Sequence, residues 1–207
     1  MGVTTEPDLR PFQDMWDAWK EVRERLLSKP LSHFRKATDI QFDELAQHLD
    51  KGEHEAAARE ATDIISVALN LMRKLGYTPA EISQIARERA ARRKSMEDET
   101  TAPDLGPFQN LWDAWEEARE ELLSKPLSYF REATDIHFDE LAQYLDKGEH
   151  GAAVGKATDI IGVALNLMRK LGYTPAEISQ IARARAIQRM KGQTPQILDK
   201  YEQQYGI

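Results

Sequence analysis

Glu60 and Asp63 lie three residues apart, so on a helix both carboxylates project from one face. From Ala61 to Met72 the residues are apolar or small with few exceptions, and Asp63 is the only charge among them. A buried carboxylate without a partner costs several kcal/mol, so a cation, a basic side chain or a set of donors is expected beside it. An antiparallel hairpin turning at Gly52 would set Glu44 opposite Glu60 and Gln41 opposite Asp63. Three carboxylates and an amide make an oxygen-rich set suited to Mg²⁺ or Mn²⁺. The alternative is that Glu60 pairs with a lysine or arginine across an interface while Asp63 accepts hydrogen bonds.

The same constellation returns in altered form, because residues 8–93 recur at 104–189, a constant 96 positions later, with about four in five identical. The second set is His137, Glu140, Lys156 and Asp159. Lys156 can neutralise Glu140 and Asp159 without a metal. His137 could ligate one, although a lone histidine on a helix face is more often a packing residue. Two position pairs are charge-swapped, Lys36 with Glu132 and Glu60 with Lys156, as complementary pairs near a twofold axis would be. Asp39/Asp43 and Asp135/Asp139 are kept in both copies and read as a solvated face, or as further ligands if the helix is rotated. The sequence has no glycine-rich phosphate loop, no zinc spacing and no Glu-x-x-His pattern.

Helices must position these groups. Apolar spacing predicts one from Pro11 to Leu27, carrying a Trp-Asp-Ala-Trp motif as core anchors. Pro30 then starts a second, from about Leu31 to Leu49. The third runs from about Glu55 to Leu75 and is stopped by Gly76, and Thr78-Pro79-Ala80-Glu81 opens a fourth that reaches about Lys94. Residues 8–94 and 104–191 are thus two four-helix units, 95–103 a polar linker, and 192–207 a tail whose helix could dock on the bundle. Units this small complete their cores by association, so an all-α intramolecular pseudo-dimer is expected, with room for a further homodimer.

The net charge of −7 and pI near 5.3 argue against general nucleic-acid binding, although Arg87, Arg89, Arg92, Arg93 and Lys94 form a local basic run, matched by Arg183, Arg185, Arg189 and Lys191. The absence of cysteine excludes disulfides and thiolate chemistry and favours a cytoplasmic setting. No apolar run is long enough for a membrane span, and the first residues carry no export signal.

The segment from Glu44 through Gly52 to Glu60-Ala61-Thr62-Asp63, with Asn70 to Pro79 after it, resembles the hairpin of the MazG-like all-α nucleoside triphosphate pyrophosphohydrolases. The likeness covers the second to fourth helices of each copy. It implies that Glu44, Glu60 and Asp63 hold Mg²⁺ (or Mn²⁺) and act in catalysis, and that Arg89, Arg92 and Arg93 face the triphosphate of a nucleotide. The implied reaction is attack of water between the α and β phosphates, giving a nucleoside monophosphate and pyrophosphate. Where the family has its first two glutamates this chain has Ile40-Gln41 and Ile136-His137, and Lys156 replaces a third. Activity would therefore reside in copy one, with His137, Glu140, Lys156 and Asp159 a degenerate second site. The rival expectation is a catalytically lapsed module that binds a nucleotide or a protein partner.

Overall fold

The computed structural model describes residues 9–91 and 104–207. Among them the chain is all-helical, without strands, and no helix is long and apolar enough to cross a membrane. The helices are α1 (Gln13–Ala18), α2 (Arg23–Ser28), α3 (Leu31–Asp50), α4 (His54–Lys74), α5 (Pro79–Ala91), α6 (Gln109–Asp113), α7 (Arg119–Ser124), α8 (Leu127–Asp146), α9 (His150–Lys170), α10 (Pro175–Met190) and α11 (Gln193–Lys200). A short 3₁₀ turn, Gly106–Phe108, precedes α6, and a π-helical turn, Tyr201–Tyr205, follows α11. The predicted linker, together with Asp8, Arg92, Arg93 and Lys94, lies outside the described residues.

The two long hairpins, α3 with α4 and α8 with α9, pack against each other through α4 and α9, whose small and branched residues (Ala57, Ala61, Ile64, Ala68 and their equivalents 96 later) are fully buried. Gly52 and Gly76 adopt positive φ, 74° and 89°, and end α3 and α4 where their sequence positions require. Thr174 and Glu177 form a reciprocal capping box at the start of α10. The shorter helices are exchanged between copies: α1 packs on α10, and α5 on α6 and α9.

The predicted first helix is instead two. The chain breaks between Trp19 and Val22, and this lets two tryptophans reach α4 at different points. Trp16 lies under the Arg73 guanidinium, 4.0 Å from ring centroid to Cζ, while Trp19 Nε1 donates to Ser66 Oγ at 2.9 Å. Trp112 repeats the first contact with Arg169 at 3.9 Å.

Asp39 and Asp43 are not merely a solvated face. Arg131 donates to both, at 3.2 and 2.7 Å, and Arg35 reciprocally donates to Asp135 and Asp139. These four bonds tie α3 to α8. The expected charge-swapped pairs do not form: among the described residues no ion pair joins Glu60 to Lys156 or Lys36 to Glu132, because Lys156 is held by Glu140 on the neighbouring helix. A different pair meets between the copies. Gly106 has φ 56°, and a Cβ there would fall 1.6 Å from the carbonyl oxygen of Arg10, its own equivalent in copy one.

Candidate functional site

In copy one the hairpin brings Glu44 near Glu60, and Glu60 near Asp63, as the pairing about Gly52 predicts. Their partners come from elsewhere in the chain. Arg185 Nε donates to both Asp63 oxygens at 3.1 Å, and Nη2 of Arg185 and of Arg189 also reach Oδ2. Arg185 Nη2 lies 3.7 Å from Glu60 Oε1. From the tail, Lys200 Nζ donates to Glu44 Oε1 at 2.9 Å, and Gln41 Nε2 donates to Tyr201 Oη at 2.6 Å.

Burial would raise the Asp63 pKa, but the Arg189 and Arg185 guanidiniums outweigh it and hold the carboxyl below its ordinary range. Glu60 fares differently. Burial first, then the Asp63 charge, pushes it up to about 7 against the weaker pull of Arg185, and its buried Oε2 has no hydrogen-bond partner. Beside Asp63 lies a cavity of about 20 Å³, room for about one water, lined by Trp19, His33, Asn70, Arg189, Leu198 and Tyr201. His33 is buried against the Tyr201 ring with its Nδ1 unpartnered, and desolvation lowers its pKa to about 4.

In copy two Lys156 Nζ sits 2.7 Å from Glu140 Oε2 and 3.8 Å from Asp159 Oδ2. His137 Nδ1 contacts the same Glu140 oxygen at 3.2 Å, and burial lowers the histidine pKa. Arg89 crosses from copy one and donates to Asp159 through Nε at 2.9 Å and through Nη2. Gly155 makes room for it, since a Cβ there would lie 2.7 Å from Arg89 Nη1.

Arg89 is thus brought to Asp159 rather than to Glu44, Glu60 and Asp63, and its equivalent 96 residues on, Arg185, makes the reciprocal crossing. Arg92 and Arg93 lie outside the described residues. Sequence reasoning missed Arg185, Arg189, Lys200 and Tyr201 as members of the copy-one site. The basic run in copy two was the available signal, but only the exchange of α5 and α10 between copies tells which acid each arginine meets.

Among the described residues no group of three or more histidine, aspartate or glutamate side chains is arranged to hold a metal ion. Guanidiniums occupy both oxygens of Asp63, Glu44 Oε1 accepts from Lys200, and Glu60 Oε2 is buried without a partner. As arranged, Arg185, Arg189 and Lys200 face the three carboxylates, so a divalent ion would have to displace them. No protein family, curated protein or solved structure matches this chain.

Proposed function

We propose that this chain is a non-hydrolytic binding module: a covalent pseudo-dimer on a MazG-like helical scaffold, whose site acids join the two halves. One observation carries this reading. Asp63, the carboxylate kept at the centre of the metal-binding pattern, is buried and accepts from Arg185 and Arg189 of the other copy. Asp159 is met by Arg89 in the reciprocal way. Salt-bridged acids of this kind serve structure and specificity, and the lack of cysteine fits a reducing, cytoplasmic setting. The test is incubation of the full chain with each canonical and deoxy nucleoside triphosphate plus Mg²⁺ or Mn²⁺. No monophosphate or pyrophosphate is expected; metal-dependent turnover that Asp63→Ala abolishes would overturn the reading.

A second reading, a Mg²⁺-dependent nucleoside triphosphate pyrophosphohydrolase active in copy one, is favoured by the Glu60 carboxyl. It is buried, partly unpartnered and poised near neutral pH, as a group awaiting a cation or a proton would be. Under that reading Glu60→Ala abolishes turnover while Asp159→Ala does not.

A further inference from the structure

The chain has two equivalent helical faces and one tail. On copy one, α11 and the turn after it cover the face of α3: Tyr201 packs with Ala37 and Ile40, flanked by Ile197 and Ile207, and against the His33 ring. Charge fixes the fit. Arg25 reaches Asp199 at 2.8 Å and Glu202 at 3.2 Å, and Lys29 reaches Glu202 at 2.8 Å. Ile40 is consequently 2% exposed and His33 3%.

The equivalent face of copy two carries the same kind of apolar surface, and among the described residues nothing like the tail lies on it. Ile136, the equivalent of Ile40, is 56% exposed, and Tyr129, the equivalent of His33, is 37% exposed. A histidine that is buried in copy one has become a tyrosine, a residue suited to half-wet contact surfaces. One of the two rim cations has changed sign as well. Glu121 stands where Arg25 receives the tail, while Lys125 keeps the place of Lys29 and pairs with Glu121 at 2.8 Å. A tail laid on this face would still find Lys125 for Glu202, but its Asp199 would meet Glu121 in place of an arginine, so the chain's own tail is mismatched there. Glu97-Asp98-Glu99 has the wrong sign too.

From these differences we infer that the α7–α8 face of copy two is a docking site for an amphipathic helix of a protein partner that is basic where the tail carries Asp199. The inference rests on the binding reading above and specifies its partner. The tail on copy one supplies the template: an apolar stripe against Tyr129 and Ile136, with a lysine or arginine toward Glu121.

The probe is a labelled peptide spanning residues 193–207 with Asp199→Lys, titrated against the full chain by fluorescence anisotropy. The unaltered peptide serves as comparison. The altered peptide is expected to bind at least about 10-fold more tightly than the unaltered one and to weaken as salt is raised. Ile136→Glu and Glu121→Lys, both on the exposed face, should each reduce its affinity by about 10-fold or more, with unchanged thermal melting as the check on folding. Equal binding of both peptides, indifference to Ile136→Glu, or no binding overturns the proposal. So does sedimentation showing a dimer of the chain that Ile136→Glu dissociates, which would make a second copy the occupant. Triphosphate turnover would instead refute the binding reading while leaving the peptide result standing, so the two failures are distinguishable.

Discussion

Replacing Asp63 by alanine removes the anion that two guanidiniums share. The Arg189 side chain is 6% exposed and already has two nitrogens without hydrogen-bond partners, while that of Arg185 is 23% exposed. With Asp63 gone, Arg189 loses its direct anion and is left to the more distant Glu60 carboxyl. Losses of this kind run at about 3–5 kcal/mol, and for a chain of this size each kcal/mol lowers Tm by about 2–4 °C, so a fall of roughly 6–20 °C is expected. Asp159→Ala should cost less, about 1–3 kcal/mol, because Arg89 is more open to water and Lys156 keeps Glu140. Calorimetry at neutral pH, with urea unfolding as a second probe, compares the two. The triple variant Asp63→Leu, Arg185→Met, Arg189→Met removes all the charge at once and should recover most of the loss. An Asp63→Ala cost under about 1 kcal/mol, or an equal cost at Asp159, would refute the view that this clamp is what Asp63 is for.

Stability should depend on pH through groups of opposed sign, Glu60 on one side and His33 with His137 on the other. Glu60, raised to about 7, holds its proton in the folded state after the unfolded chain has released it, so stability falls as pH rises from about 4.5 to about 7, by about 3 kcal/mol. His33, lowered to about 4, stays neutral while the unfolded chain takes up a proton, so its contribution falls as pH drops from about 6.5 to about 4. Glu60 and His33 oppose each other between about pH 4.5 and 6.5, with His137 adding to the histidine side; relative to wild type, Glu60→Gln should make the slope of stability with pH more positive there and His33→Tyr more negative, as urea midpoints at several pH values read. Gly162→Ala, in the interior of α9 with open space where the Cβ would go, should stabilise by about 0.5–1 kcal/mol in thermal melts. Gly106→Ala drives a Cβ into the Arg10 carbonyl and should lower the melting temperature, unlike Gly151→Ala, whose Cβ meets nothing.

The long hairpins were legible because punctuation and periodicity agree. Pro30, Gly52 and Gly76 bound α3 and α4 to within a residue or two of where the chain was read to turn. The need of Asp63 for a counter-charge was equally legible, since a lone carboxylate in an apolar run cannot be left unmet. What met it was not. Arg185 is 122 residues away, and its approach depends on α10 crossing to the other copy, a tertiary exchange that leaves no mark on local spacing. The break after Trp19 was hidden for a related reason, because the apolar period continues through it while the two indoles answer to different residues of α4. Asp39 and Asp43 looked solvated because helical spacing alone places acids on a face without showing that Arg131 stands over it.

The charge reversal between Glu60 and Lys156 links these features to the tail. Lys156 Nζ lies 2.7 Å from Glu140, and in copy one the equivalent acid, Glu44, is met at 2.9 Å by Lys200 of the tail. Copy two therefore carries within its own hairpin the ammonium that copy one receives from the tail. Putting that lysine into copy one, Glu60→Lys, gives Glu44 a local partner and relieves the like-charge contact with Asp63, but it also sets a cation beside Arg185 and in competition with Lys200. Lys200 then loses its anion, and the tail keeps its apolar contacts through Leu198 and Tyr201, the Gln41–Tyr201 hydrogen bond and the exposed pairs at Arg25 and Lys29, each of these pairs worth under about 1 kcal/mol. Amide hydrogen exchange should show residues 193–207 losing protection by about 10-fold or more while α4 and α9 are unchanged. If the tail stays as protected as in wild type, Lys200 is not what holds it, and the difference between Glu60 and Lys156 has to be explained by Asp63 and Asp159 alone.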